Sequence, residues 1–182
     1  VSLEFWKKAS PKRRRIITII IIFTVIVILT ALATLTPIDE KTAIETNNEV
    51  NQTVNAMKAN NTLLQDIYGN NFFLTMLMFV PFVGPILGFY TFYNTGVVIE
   101  AEAIAQHLPP TPSFFVLFLT PIAWLEFVSY SIAIAGSVWL SARMLQRSFK
   151  HELVNTAKFI SVCAVLLLIS AVIEAALISA GS

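Results

Sequence analysis

Apolar residues in this chain come in long unbroken blocks, not in alternation with polar ones, and the blocks are separated by short polar, basic or proline-rich interruptions. A membrane-spanning β-barrel needs segments of about ten residues alternating apolar and polar, so the pattern predicts helices. Ile16 to Leu35 carries no charge, and at 1.5 Å per residue its twenty residues match a hydrocarbon layer of about 30 Å. This block is the first predicted transmembrane helix. It exceeds the apolar stretch of a cleaved signal peptide, about 7 to 15 residues, and is expected to be a retained anchor. Leu153 to Ser179 forms the last predicted span, with Lys158 near one boundary and Glu174 near the other.

Between these two, prolines and glycines break the pattern. Ile67 to Ile99 contains no ionisable acid or base besides its tyrosines, but Pro81, Gly84, Pro85 and Gly88 fall in its middle, where a continuous helix would lose hydrogen bonds. A kink or break is expected at 81 to 88, giving either one long kinked span or two spans joined near Pro85. Pro109-Pro110-Thr111-Pro112 marks a boundary, because each proline disfavours helical geometry in the residue before it. Ser113 to Thr120 is apolar but too short to cross, and Pro121 precedes the block from Ile122 to Leu140. Either a re-entrant half-helix breaks near Thr120-Pro121, or a single proline-kinked span runs through it.

The segment from Pro37 to Asn70 is polar, and acids outnumber Lys41 and Lys58 in it. Val50, Val54, Met57, Leu64 and Tyr68 recur at steps of three and four, with Asn61 in the slot between Met57 and Leu64, which predicts an extramembrane helix over 40 to 68. Its apolar seam of Val50, Val54, Met57 and Leu64 must rest either on the protein's own outer surface or on a partner subunit. Asn51-Gln52-Thr53 and Asn60-Asn61-Thr62 match the glycosylation acceptor pattern, making Asn51 and Asn60 candidate acceptors on an outside segment.

Composition agrees with the pattern: 56% of the 182 residues are hydrophobic and 13% charged, about half the charge fraction of a soluble domain. Charge then sets orientation. Six of the twelve Lys and Arg lie in the first fifteen residues, and Arg143, Arg147 and Lys150 form a second basic cluster. Basic loops stay in the cytoplasm, so both clusters are expected there, with Phe5 and Trp6 in the headgroup layer. That parity requires an even number of crossings between them. The expectation is a single all-α membrane domain over 1–182, a multi-pass bundle of about five spans in the cell membrane. Its parts are a basic segment 1–15, a first helix 16–36, an outside segment 37–70, kinked and broken helices 71–142, a basic loop 143–152 and a last helix 153–179.

Candidate chemistry is sparse. A charge at the bilayer centre costs at least about 2.5 kcal/mol, so acids inside apolar stretches stand out, and Glu126 is the foremost. Its place just after Pro121 suggests the start of a helix, where free backbone N–H groups would stabilise an anion. Asn71, Asn94 and Glu100 complete the set of candidate intramembrane polar positions. Glu100 and Glu102 are two apart and point to different sides of a helix. His107 has no second ligand at metal-binding spacing, Met76 and Met78 read as packing, and the lone Cys163 excludes an intrachain disulfide. No cofactor, metal or nucleic-acid partner is expected, and no nucleophile and base pair can be assembled. The chain reads as a non-enzyme whose partners are lipids and other membrane subunits.

Several of these elements resemble the stage II sporulation protein M family, small polytopic membrane proteins also found in archaea and in bacteria that do not sporulate. Asn70-Asn71-Phe72-Phe73 resembles the asparagine that heads one family helix, and Tyr93-Asn94-Thr95-Gly96 its Asn-Gly element with one residue inserted. Thr120 to Glu126 resembles the family's re-entrant His-Gly-x-x-Glu signature in its acid alone. Ser131-Ile132-Ala133-Ile134-Ala135-Gly136 fits the small-residue helix that follows. The resemblance covers about residues 70 to 142. It implies a scaffold, since the named member anchors a peptidoglycan-remodelling complex, and a member in an archaeon would serve another assembly. The family core's likeness to ABC exporter permeases keeps a small transporter using Glu126 as the alternative. An accessory subunit of a respiratory or monooxygenase complex is a further one.

Overall fold

The computed structural model describes residues 9–180. Phe5 and Trp6, expected in the headgroup layer, lie outside the described residues. Seven α-helices make up that region: α1 (Pro11–Ala33), α2 (Glu40–Ala59), α3 (Leu63–Met78), α4 (Gly84–Ala105), α5 (Pro110–Leu117), α6 (Pro121–Leu145) and α7 (Phe149–Ala180). Three stretches are long and apolar enough to cross a membrane: Pro11–Ala33, Pro121–Leu145 and Glu152–Ala180.

The helix ends follow from local chemistry. Ser10 caps α1 by accepting the Arg13 N–H, with Pro11 in the first turn, where its missing donor costs nothing. Asp39 caps α2, accepting from the Thr42 backbone N–H at 3.0 Å and hydroxyl at 2.6 Å. Those two bonds hold its carboxyl below the ordinary carboxylate range. Pro109 is extended, and Pro110 and Pro112 then sit in the first turn of α5, so the proline cluster starts a helix, while α4 has already closed at His107. α5 is eight residues long, about 12 Å at helical rise, and the chain breaks at 118–120 before α6 begins.

Four turns place a non-glycine residue in the left-handed region: Asn61, Phe82, His107 and Arg147, with φ of 55°, 64°, 55° and 54°. At Asn61, His107 and Arg147 the following N–H reaches back five residues to the helix, on Met57, Ala103 and Arg143 carbonyls. These are Schellman closures. The one at Asn61 divides the helix expected over 40 to 68, so Val50, Val54 and Met57 belong to α2 and Leu64 and Tyr68 to α3.

α1 and α7 start at the same end of the bundle, where Arg15 makes a two-bond ion pair with Glu152. α6 runs opposite to both. Between 79 and 83 the chain reverses: Asn71 of α3 lies beside Glu126 and Phe79 beside Gly136, whereas α4 passes from Ser137 at Gly84 to Phe127 at Phe92. α3 and α4 therefore form a hairpin that straddles α6, and the break expected at 81 to 88 is a full turn at 79–83, with Pro85 and Gly88 inside α4, because proline is tolerated in a helix's first turn. From Glu126 to Ser141, beside the turn, α6 extends about 22 Å.

The hairpin's open backbone is satisfied by hydroxyls of the small-residue helix. Ser137 donates to the Val80 carbonyl at 2.6 Å, and the Phe82 N–H donates to Ser141 at 2.8 Å. Backbone groups that a tight turn leaves open need such partners where they are turned away from solvent. Close approach does the rest: a Cβ on Gly136 would stand 2.7 Å from the Phe79 ring, and one on Gly96 would collide with the Thr30 carbonyl of α1. The core that forms around these contacts joins Ile26, Phe92, Phe127, Tyr130, Ile134 and Leu167. Phe92 and Phe127 meet edge to face at 4.6 Å. Cys163 is buried in it and donates to the Ser129 carbonyl at 3.3 Å.

Candidate functional site

Asn71 and Glu126, 55 residues apart in sequence, meet at the end of the bundle away from Arg15. The Asn71 amide donates to Glu126 Oε1 at 2.7 Å, and the Ser170 hydroxyl lies 3.5 Å from the same oxygen and 3.4 Å from the Ile122 carbonyl. One carboxylate oxygen thus joins α3, α6 and α7. Glu126 lies on the second turn of α6, five residues past Pro121. Side-chain donors from two other helices stabilise it, in place of the terminal N–H groups its sequence position suggested.

Glu126 opens onto a cavity of about 630 Å³ whose wall includes Asn70, Asn71, Asp66 and Glu174. α2 covers the mouth, with Val54 and Met57 in the lining. The seam predicted from spacing is therefore used largely within the chain. Val50, Val54, Met57 and Leu64 are each half-buried, Leu63 is buried beside Leu64, and Ala43 is fully buried where α2 packs on α4. Asn51 and Asn60, the glycosylation candidates, are exposed, the first on α2 and the second just past its end.

The other two candidates stand apart from Glu126. Asn94 lies on α4 in a lateral groove of about 620 Å³ between α3 and α4, with Thr91, Thr95 and Glu102 along the same face. Glu100 is six residues past Asn94 on α4, and its Oε2 is buried without a hydrogen-bond partner among the described residues. His107 is the left-handed residue closing α4. Met78 is buried while Met76 is partly exposed, so the two do face different ways.

Residue spacing does not reveal Ser170 or the pairing of Arg15 with Glu152. Ser170 is one hydroxyl in a helix with several, so nothing local distinguishes it. Glu152 did carry a signal, as the single acid among Arg143, Arg147 and Lys150. Around that pair the Arg15 guanidinium also sits 5.3 Å from the Trp139 ring centre and 6.0 Å from that of Phe159, within cation–π range.

Neither a curated protein nor a solved structure matches the chain. A family described as Stage II sporulation protein M matches residues 17–178, from the first turns of α1 to the end of α7. That match takes in every helix named above, well beyond the 70 to 142 that its motifs suggested, and the chain belongs to that family.

Proposed function

We propose that the chain is a non-catalytic, multi-pass membrane scaffold or accessory subunit, crossing the bilayer five times with its N-terminus in the cytoplasm and α2 outside. The observation that carries this reading is α2 itself. Its apolar edge is held by α4 and the cavity mouth, while Glu45, Asn48, Glu49 and Asn55 on the rest of its surface are exposed. A helix fixed in this way presents a polar face to another chain at small entropic cost. The face offered to a partner is then the polar one, not the apolar seam. Five passes are supported by the hairpin of α3 and α4, which follows α6 over most of its length. The basic clusters meeting at Arg15 and Glu152 support a shared cytoplasmic side.

A photo-crosslinking residue at Asn48 or Asn55, followed by gentle extraction from the native membrane, tests the reading. The expected product is a heavier species containing a second polypeptide. Recovery of an uncrosslinked monomer from both positions would overturn it.

The cavity beside Glu126 supports a second reading, a small transporter, because buried acids at discontinuous helices are a common construction for transport sites. Flux in proteoliposomes that is abolished by Glu126→Gln would favour transport over the scaffold.

A further inference from the structure

At the basic end, α1, α6 and α7 enclose a second cavity, of about 410 Å³, lined by Pro11, Lys12, Arg15, Arg143, Ser148 and Asn155, with Glu152 in its wall. Three cations face one carboxylate there. Both oxygens of that carboxylate are taken by Arg15, so the pair is internally matched and, among the described residues, the charges of Lys12 and Arg143 are left uncancelled. The bond from Arg143 Nη1 to Gln146 Oε1, at 3.1 Å, is to a neutral group and changes nothing in that balance. Ser148 and Asn155 add neutral donors. Phosphate oxygens suit such a site, taking charge-assisted bonds from Lys and Arg together with neutral ones.

Position selects the source of the phosphate. Arg15 directly precedes Ile16, Arg143 stands two residues before Leu145, and Glu152 two before Val154. Those three apolar side chains are 58%, 76% and 58% exposed. The cavity therefore opens where the basic end of the bundle meets its outward apolar surface. A free anion uses only the first of these, whereas a phospholipid uses both. Basic pockets between transmembrane helices on the cytoplasmic side are suited to anionic headgroups. The Arg15 guanidinium, held by Glu152 and by the Trp139 ring, gives the site a rigid wall before any ligand arrives.

We propose that this cavity binds the phosphodiester headgroup of an anionic membrane lipid, with Lys12 and Arg143 supplying the neutralising charge and the acyl chains lying on the apolar surface beyond Ile16 and Leu145. The proposal stands apart from the scaffold and transport readings, since it uses neither α2 nor Glu126.

The full chain, reconstituted in equal parts phosphatidylglycerol and phosphatidylcholine and then repurified, is assayed for retained lipid by mass spectrometry. The wild-type protein is expected to retain phosphatidylglycerol in preference. Lys12→Gln and Arg143→Gln should each lower that preference about fivefold, as expected for the loss of one cation near an anionic surface, and the double variant should lower it further. Arg143→Lys, which keeps the charge, should retain most of it. Removing two cations from α2, with Lys41→Gln and Lys58→Gln, should leave it unchanged. Equal retention of the two lipids by the wild-type chain would overturn the proposal. So would an equal loss in the α2 control, or release of the lipid by millimolar inorganic phosphate, which would make the site one for a free anion.

Discussion

The two ends of the bundle each hold a carboxylate bonded between helices, and they treat it differently. Glu152 is 4% exposed and faces Arg15, itself 16% exposed, through two parallel bonds to a guanidinium stacked on Trp139. Charge meets charge, and planar fork meets planar acid. Glu126, at the other end, is half-buried and has only neutral donors among the described residues, the Asn71 amide and the Ser170 hydroxyl, and shares its cavity with a second acid, Glu174. The first arrangement fastens α1 to α7 and is complete in itself. The second holds three helices together yet faces an open cavity with acids in excess. A group whose charge is matched belongs to the frame, and one left short of a counter-charge is where a ligand, proton or partner has something to add.

That contrast is broken most severely at the matched end. Arg15→Ala or Glu152→Ala leaves a buried charge without its partner, and such losses cost about 3 to 5 kcal/mol. Each is expected to lower the thermal unfolding midpoint of the detergent-solubilised protein sharply. The double replacement Arg15→Met with Glu152→Leu removes both charges together and should recover most of the loss. If the single variants unfold like the wild-type protein, the pair is not a fastening and the comparison fails at its stronger end.

At the Glu126 end the effect is smaller and depends on shape more than charge. Glu126→Gln keeps an oxygen for the Asn71 amide and should change stability little. Glu126→Leu leaves that amide without an acceptor, at a cost of about 1 to 2 kcal/mol. The same unfolding assay distinguishes them. If Gln destabilises as much as Leu, then the negative charge itself is part of the frame, and the two ends are alike after all.

How much of this was readable in the sequence depended on whether a feature is local or distant. The long apolar helices, a helix beginning near residue 40 and the presence of breaks near 80 and 120 follow from periodicity and from proline and glycine, which act on their own neighbours. Glu126 and Asn71 were each singled out for polarity inside an apolar stretch. Nothing along the chain, however, indicates that residue 71 lies against residue 126, because that contact is made by the packing of α3 on α6. The division of 40 to 68 into α2 and α3 was hidden for another reason. It rests on Asn61 adopting the left-handed conformation, which asparagine tolerates but does not require. Leu64 continued the seam in sequence while belonging to the next helix.

The smallest effect compares the turns at the two ends. Arg147 closes α6 at the basic end and Asn61 closes α2 at the other, both left-handed, with φ of 54° and 55°. A side chain in this region costs roughly 1 to 2 kcal/mol, with asparagine partly excepted because its short polar group bonds locally. Glycine carries no such penalty, though it gives back part of the gain through the greater freedom of the unfolded chain. Arg147→Gly is therefore expected to stabilise by up to about 1 kcal/mol, and Asn61→Gly by a few tenths at most. Arg147 is exposed, so lost contacts should not mask the gain. If Arg147→Gly destabilises instead, its charge is engaged at the basic end, and that end is held by more than the pairing of Arg15 with Glu152.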